Sequence, residues 1–206
     1  MKDFSFSLKR KAVIAAVCSA VFFVGVAVGY IPKLHRCYEM TFLSNTFAAT
    51  VLLCGAVRMA FFGKDIPHFL YLCAATLLAV VVGICVSFAP VATLCSPSVM
   101  LHLINPVIMF AFYMSMCDAR GVKNRVAFTA LILPCAYYIF MIVFGRITGE
   151  YIYPYFDPNR FTPTLLVVFG IVAGGVTYVV SRLLMALSRR AHNKRLKSQE
   201  LASEEE

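Results

Sequence analysis

Apolar residues run through this chain in long blocks, broken by short polar clusters, with neither the two-residue alternation of strands nor a one-sided helical stripe. Six blocks stand out: 12–30, 38–62, 69–90, 97–117, 126–145 and 162–187. Each is close to the roughly 20 apolar residues that a helix needs to cross a hydrocarbon core about 30 Å thick. An open sheet would leave backbone groups unpaired in lipid, so helices are predicted. The expected fold is all-α: one polytopic membrane domain over 1–206, with six transmembrane helices and a basic cytosolic tail at 188–206. The first block follows Lys9, Arg10 and Lys11 and so resembles a signal peptide, but it is long for one and has no clean cleavage site. Removing it would leave five spans and put the tail outside, so it is read as the first helix.

Composition fits this picture. The 206 residues are 61% hydrophobic, with mean hydropathy +0.80, more apolar surface than a soluble domain of this size hides. Charge then sets the orientation. Of 19 Lys and Arg, Lys33, Arg36, Arg146 and Arg160 lie in the connections after the first and fifth blocks. The other 15 lie at the N-terminus, in the last turns of the second block or the connections after the second and fourth blocks, or toward the C-terminus. The positive-inside rule therefore predicts both termini in the cytoplasm. The net charge of +9 is accounted for by topology and implies no nucleic acid. The stretch 189–197 is expected to touch anionic headgroups. Minimal loops and polybasic ends suit a bacterial inner membrane.

The eight cysteines have no C-x-x-C pair and no zinc spacing, so no metal or cofactor is expected. Cys37 and Cys95 fall in predicted outer loops, the oxidising side, where a disulfide between them is expected. Gly25-x-x-x-Gly29 and Gly170-x-x-x-Gly174 permit close helix approach, read as contacts within the chain. The sequence does not determine the oligomeric state. The longest outer connection, 146–161, carries Tyr151, Tyr153 and Tyr155 and reads as an aromatic belt or a lid.

Candidate chemistry lies in the second and fourth blocks. Thr41, Ser44 and Asn45 share one helical face at i, i+3 and i+4. His102 and Asn105 share another. Both blocks enter from the same side, which puts Thr41 and His102 at one depth, roughly 5–8 Å below the rim. Ionisable groups inside spans tend to mark function. The ordinary alternative is a threonine bonded to its own helix and asparagines joining neighbouring helices. Pro106, four residues after His102, cannot donate to the His102 carbonyl and predicts a bend; Pro134 does the same to Ala130. No G-x-S-x-G elbow, H-E-x-x-H pair or Walker loop is present. No acidic residue lies deep in a block, which argues against proton-coupled transport.

At these residues the chain resembles the six-span androgen-induced protein and ADTRP-like hydrolase family, including its small bacterial members. The likeness rests on Met40-Thr41-Phe42-Leu43-Ser44-Asn45, on His102-Leu103-Ile104-Asn105-Pro106, and on Gly149-Glu150-Tyr151-Ile152-Tyr153-Pro154-Tyr155-Phe156. Characterised members cleave fatty acid esters of hydroxy fatty acids within the membrane. The resemblance implies Thr41 as nucleophile and His102 as base. Ser44, Asn45, Asn105, Tyr113 and Tyr153 are expected to bind the lipid substrate. Asn45 and Asn105 are the candidate oxyanion donors, and Asn105, Tyr113 or Tyr153 the candidates to orient the imidazole. The contrasting expectation is a non-enzymatic protein that binds or transports a lipid or small molecule through the same residues.

Overall fold

The computed structural model describes residues 2–88, 99–151, 153, 157 and 162–204. Those residues form six α-helices and no strand. They are α1 (Lys2–Tyr30), α2 (Met40–Phe62), α3 (His68–Phe88), α4 (Asn105–Met116), α5 (Ile132–Thr148) and α6 (Pro163–Glu204). A 3₁₀ turn (Ile31–Arg36) follows α1, a π turn (Met100–Ile104) leads into α4, and a 3₁₀ segment (Asn124–Leu131) leads into α5. Five helical segments are long and apolar enough to cross a membrane, and the apolar helix Met100–Met116 is shorter. Cys95 lies outside the described residues, so the Cys37–Cys95 pairing does too.

Helix ends follow from local chemistry. Gly63 (φ 61°) and Gly149 (φ 75°) adopt the left-handed conformation that stops α2 and α5, a geometry costly for other L-residues. Pro163 opens α6, where its missing N–H has no intrahelical partner to lose. The Thr162 hydroxyl accepts the Leu165 N–H at 3.3 Å. The tail of α6 is rich in Lys, Arg, Leu, Ala and Glu, all good helix formers, so α6 runs well past its apolar stretch.

Small residues let α1 and α2 pack closely. Ala15, Ala48 and Ala49 are fully buried, and the Ser19 hydroxyl donates to the Ala49 carbonyl at 2.8 Å. The core continues through Leu52, Leu72, Leu78, Met109 and Phe112. Outward positions are equally apolar: Val13, Val17, Val28, Ile171, Val176 and Val179 are exposed. A helix apolar on every side buries one face in protein and offers the other to lipid.

Two polar clasps tie the end of the bundle that holds Lys11. Lys11 Nζ pairs with Asp65 Oδ2 at 2.6 Å. The other oxygen of Asp65 accepts the Tyr71 hydroxyl at 2.8 Å and the Ile66 N–H at 2.7 Å. Arg189 of α6 donates to the carbonyls of Ala119 and Val122 and to Asn124 Oδ1, holding the α4–α5 connection. The basic start of α1 and the basic stretch of α6 therefore share one end.

The glycine motifs divide. A Cβ at Gly25 would lie 3.1 Å from Asn105 Nδ2, and one at Gly29 2.6 Å from Leu101 Cδ1. That motif is where α1 meets the start of α4. Gly170 faces Tyr138, but nothing lies within 4 Å of a Cβ at Gly174.

Candidate functional site

The Tyr30 end of the bundle gathers the polar residues of α2 and α4. Thr41 lies in the first turn of α2 and is 8% exposed. His102 lies in the π turn and is half-buried. Thr41 Oγ1 and His102 Nε2 are 3.1 Å apart, a hydrogen bond across 61 positions of sequence. The hydroxyl and the imidazole can exchange a proton directly.

The π turn accounts for how His102 is placed. The Asn105 N–H bonds to the Met100 carbonyl, five residues back. In that register the group Pro106 would have donated to is the Leu101 carbonyl, whereas a regular α-helix would free that of His102. The Leu101 carbonyl instead accepts Asn45 Nδ2 at 3.2 Å. At the expected bend the structure has a widened turn, in which the Leu101 carbonyl takes a side-chain donor. Pro134 is accommodated differently. It falls in the first turn of α5, directly after a 3₁₀ segment.

Asn45 and Asn105 are both fully buried. Asn45 Nδ2 also donates to the Thr41 carbonyl at 2.8 Å, and Asn45 Oδ1 accepts from Asn105 Nδ2 at 2.8 Å. Asn105 Oδ1 is buried with no hydrogen-bond partner among the described residues. The two amides therefore clamp α2 to the π turn. Ser44 is buried and donates to the Thr41 carbonyl at 3.2 Å.

Tyr113 lies elsewhere. It sits 11 positions beyond His102, about 16 Å down the helix. Its hydroxyl meets His68 Nε2 at 3.3 Å, with the rings edge-on at 5.4 Å. It does not orient His102. Tyr153 lies at the Tyr30 end, packed with Tyr137, Met141 and Leu166. Burial raises its phenol above the usual tyrosine range.

Sequence reasoning missed two residues here. The Tyr30 hydroxyl donates to Glu39 Oε2 at 2.9 Å, and Arg36 pairs with the other Glu39 oxygen. Tyr30 is 5% exposed and packs edge-on against Phe42 at 5.0 Å. The signal available in the sequence was a carboxylate two residues before Thr41. Glu39 precedes the first turn of α2 without capping it, which leaves its side chain for Tyr30 and Arg36.

Beside this group, between α2, α3 and α5, lies a cavity of about 540 Å³. Its walls include Met40, Phe47, Leu77, Tyr137 and Phe140, and Ser44 belongs to both cavity and polar cluster. Among the described residues no three His, Cys, Asp or Glu side chains gather as a metal site. Comparison of the chain with protein-family models, curated proteins and solved structures found no match.

Proposed function

We propose that this chain is an intramembrane hydrolase of lipid esters, with fatty acid esters of hydroxy fatty acids as the substrate class. The 3.1 Å contact between Thr41 Oγ1 and His102 Nε2 carries the reading, and the resemblance described above supports it. In the reaction His102 Nε2 takes the hydroxyl proton as Thr41 Oγ1 attacks the ester carbonyl. The imidazolium then protonates the leaving alkoxide. Water, activated by the same imidazole, releases the acid from the acyl-threonine. The acyl chain lies in the apolar cavity beside Ser44, and Tyr153 covers its polar end.

The same reading takes Met100–Met116, with the residues before it, as a fourth span. Six spans then put both termini in the cytoplasm by the charge rule, in a bacterial inner membrane. The test is hydrolysis of long-chain esters by detergent-purified wild type, Thr41→Ala and His102→Ala. The proposal requires wild-type turnover and its loss in both variants; equal rates in all three reject it.

One observation favours a second reading, a non-enzymatic lipid binder. The Asn45 amide is engaged with two backbone carbonyls, so it is not poised as an oxyanion donor. Lipid retained by Thr41→Ala, with no turnover in wild type, selects that alternative.

A further inference from the structure

The cavity beside Ser44 has a buried back and an exposed rim. Leu77 of α3 and Met40 of α2 line it and are buried. Leu43 of α2 and Leu133 and Phe140 of α5 line it too, and they are exposed. The mouth therefore opens sideways between α2 and α5, on the apolar surface that the bundle offers to lipid. A polar guest finds little to hold it. Ser44 gives its proton to the Thr41 carbonyl, and Tyr38 and Tyr137 are the remaining polar side chains of the wall. The depth of the slot follows from the helices. Phe144 of α5 meets Tyr38 at 5.1 Å, so α5 arrives at the Tyr30 end as α2 leaves it. The lining runs from Met40 to Phe47 on α2 and from Phe140 back to Leu133 on α5. Each stretch rises about 10 Å along its helix, and Phe47 and Leu133 stand together at the far end.

We propose that this cavity measures one acyl chain of the ester, admitted sideways from the bilayer, with Phe47 and Leu133 as the stop and Ala136 as the residue that sets its width. The slot is about two thirds as deep as the roughly 15 Å that the chains of one leaflet fill, so it holds about ten carbons. A chain that moves from lipid into an apolar slot gains no hydrophobic free energy, so fit decides which chain stays. Ala136 lines the slot midway between Leu133 and Phe140, and its methyl leaves the space that a larger side chain would fill. The inference rests on the lipid-ester reading above, with Thr41 one helical turn from Ser44.

The experiment is photo-crosslinking of full-length protein in lipid nanodiscs, followed by peptide mass spectrometry. The probes are saturated fatty acids that carry a diazirine on the last carbon. A chain of about ten carbons is expected to label Phe47 and Leu133, and one of about six to label Leu43 and Ala136. Ala136→Phe, at an exposed position that tolerates bulk, should lower labelling by the longer of these about fivefold or more. Leu133→Ala deepens the slot and should move the best-labelling chain to a greater length. Labelling spread alike over the slot and over lipid-facing Val28 and Val176, whatever the chain length, overturns the proposal. So does labelling that Ala136→Phe leaves unchanged, or a sterol diazirine that labels the slot more strongly than any fatty acid. Turnover of p-nitrophenyl esters of the same chain lengths, on the same samples, separates the two proposals. Labelling of the stop without turnover refutes the hydrolase reading alone, and turnover without labelling of the slot refutes this one alone.

Discussion

Asn45 donates its amide to the carbonyl of Leu101 across the α2–α4 interface, at 3.2 Å, and that carbonyl is the one Pro106 leaves without an N–H. The proline and the asparagine are complementary, since one creates an acceptor that the other satisfies. Asn45→Ala is therefore expected to cost about 1–2 kcal/mol in reversible unfolding. Pro106→Ala restores a backbone donor and should recover part of that loss. A double-mutant cycle reads this as a coupling of about 1 kcal/mol. Strict additivity contradicts the complementarity.

The two glycine motifs should respond differently to bulk. Gly25→Val pushes into Asn105, and Gly29→Val into Leu101. Both should lower stability by about 1–3 kcal/mol and disturb the His102 turn. Gly174→Ala meets open space and replaces a poor helix former, so it should be neutral or slightly stabilising. Thermal unfolding of the three variants in one detergent checks the ranking.

At the opposite end, Lys11 and Asp65 are partly shielded, with side-chain exposures of 13% and 28%. Lys11→Met leaves Asp65 with a charge and no cation, and should cost about 2 kcal/mol or more. Replacing both with apolar residues should cost less than replacing Lys11 alone. Denaturant titration of the single and double variants measures this order.

Acid should act on the α4–α5 connection. The Arg120 guanidinium holds the Asp118 carboxyl down at about 2. A carboxyl depressed in the folded protein stabilises it above its ordinary range and loses that contribution as pH falls toward the folded value. Wild type should therefore melt above Arg120→Ala at pH well over about 4, and the gap should close between there and about pH 2. A gap that persists in strong acid contradicts the assignment. The pair is exposed, so the shift is small and salt-sensitive.

Much of the architecture was legible because apolar length and turn chemistry are local properties. Among the described residues each of the six blocks holds a helix, five of them in segments long enough to span, with Gly63 and Gly149 as stops. The tail of α6 was not legible as helix from hydropathy, since its residues form helix by propensity without being apolar. Facing could be read where spacing alone decides it, as for Thr41, Ser44 and Asn45. The π turn could not, because one extra residue per turn depends on how Pro106, Asn45 and the α1 glycines pack together. Tyr113 meets His68 and not His102, because one helix face reaches both ends of the bundle. Tyr30 and Glu39 escaped notice because a bond between the last turn of α1 and the residue before α2 depends on the path of the connecting turn.

The central claim is that the Thr41 oxygen is a nucleophile activated by His102. Reaction with a fluorophosphonate probe, followed by peptide mass spectrometry, tests it most directly. The account predicts a covalent adduct on Thr41 in wild type that is absent in Thr41→Ala and strongly reduced in His102→Ala. Equal labelling of wild type and Thr41→Ala, or an unlabelled wild type that turns over no ester, would contradict it.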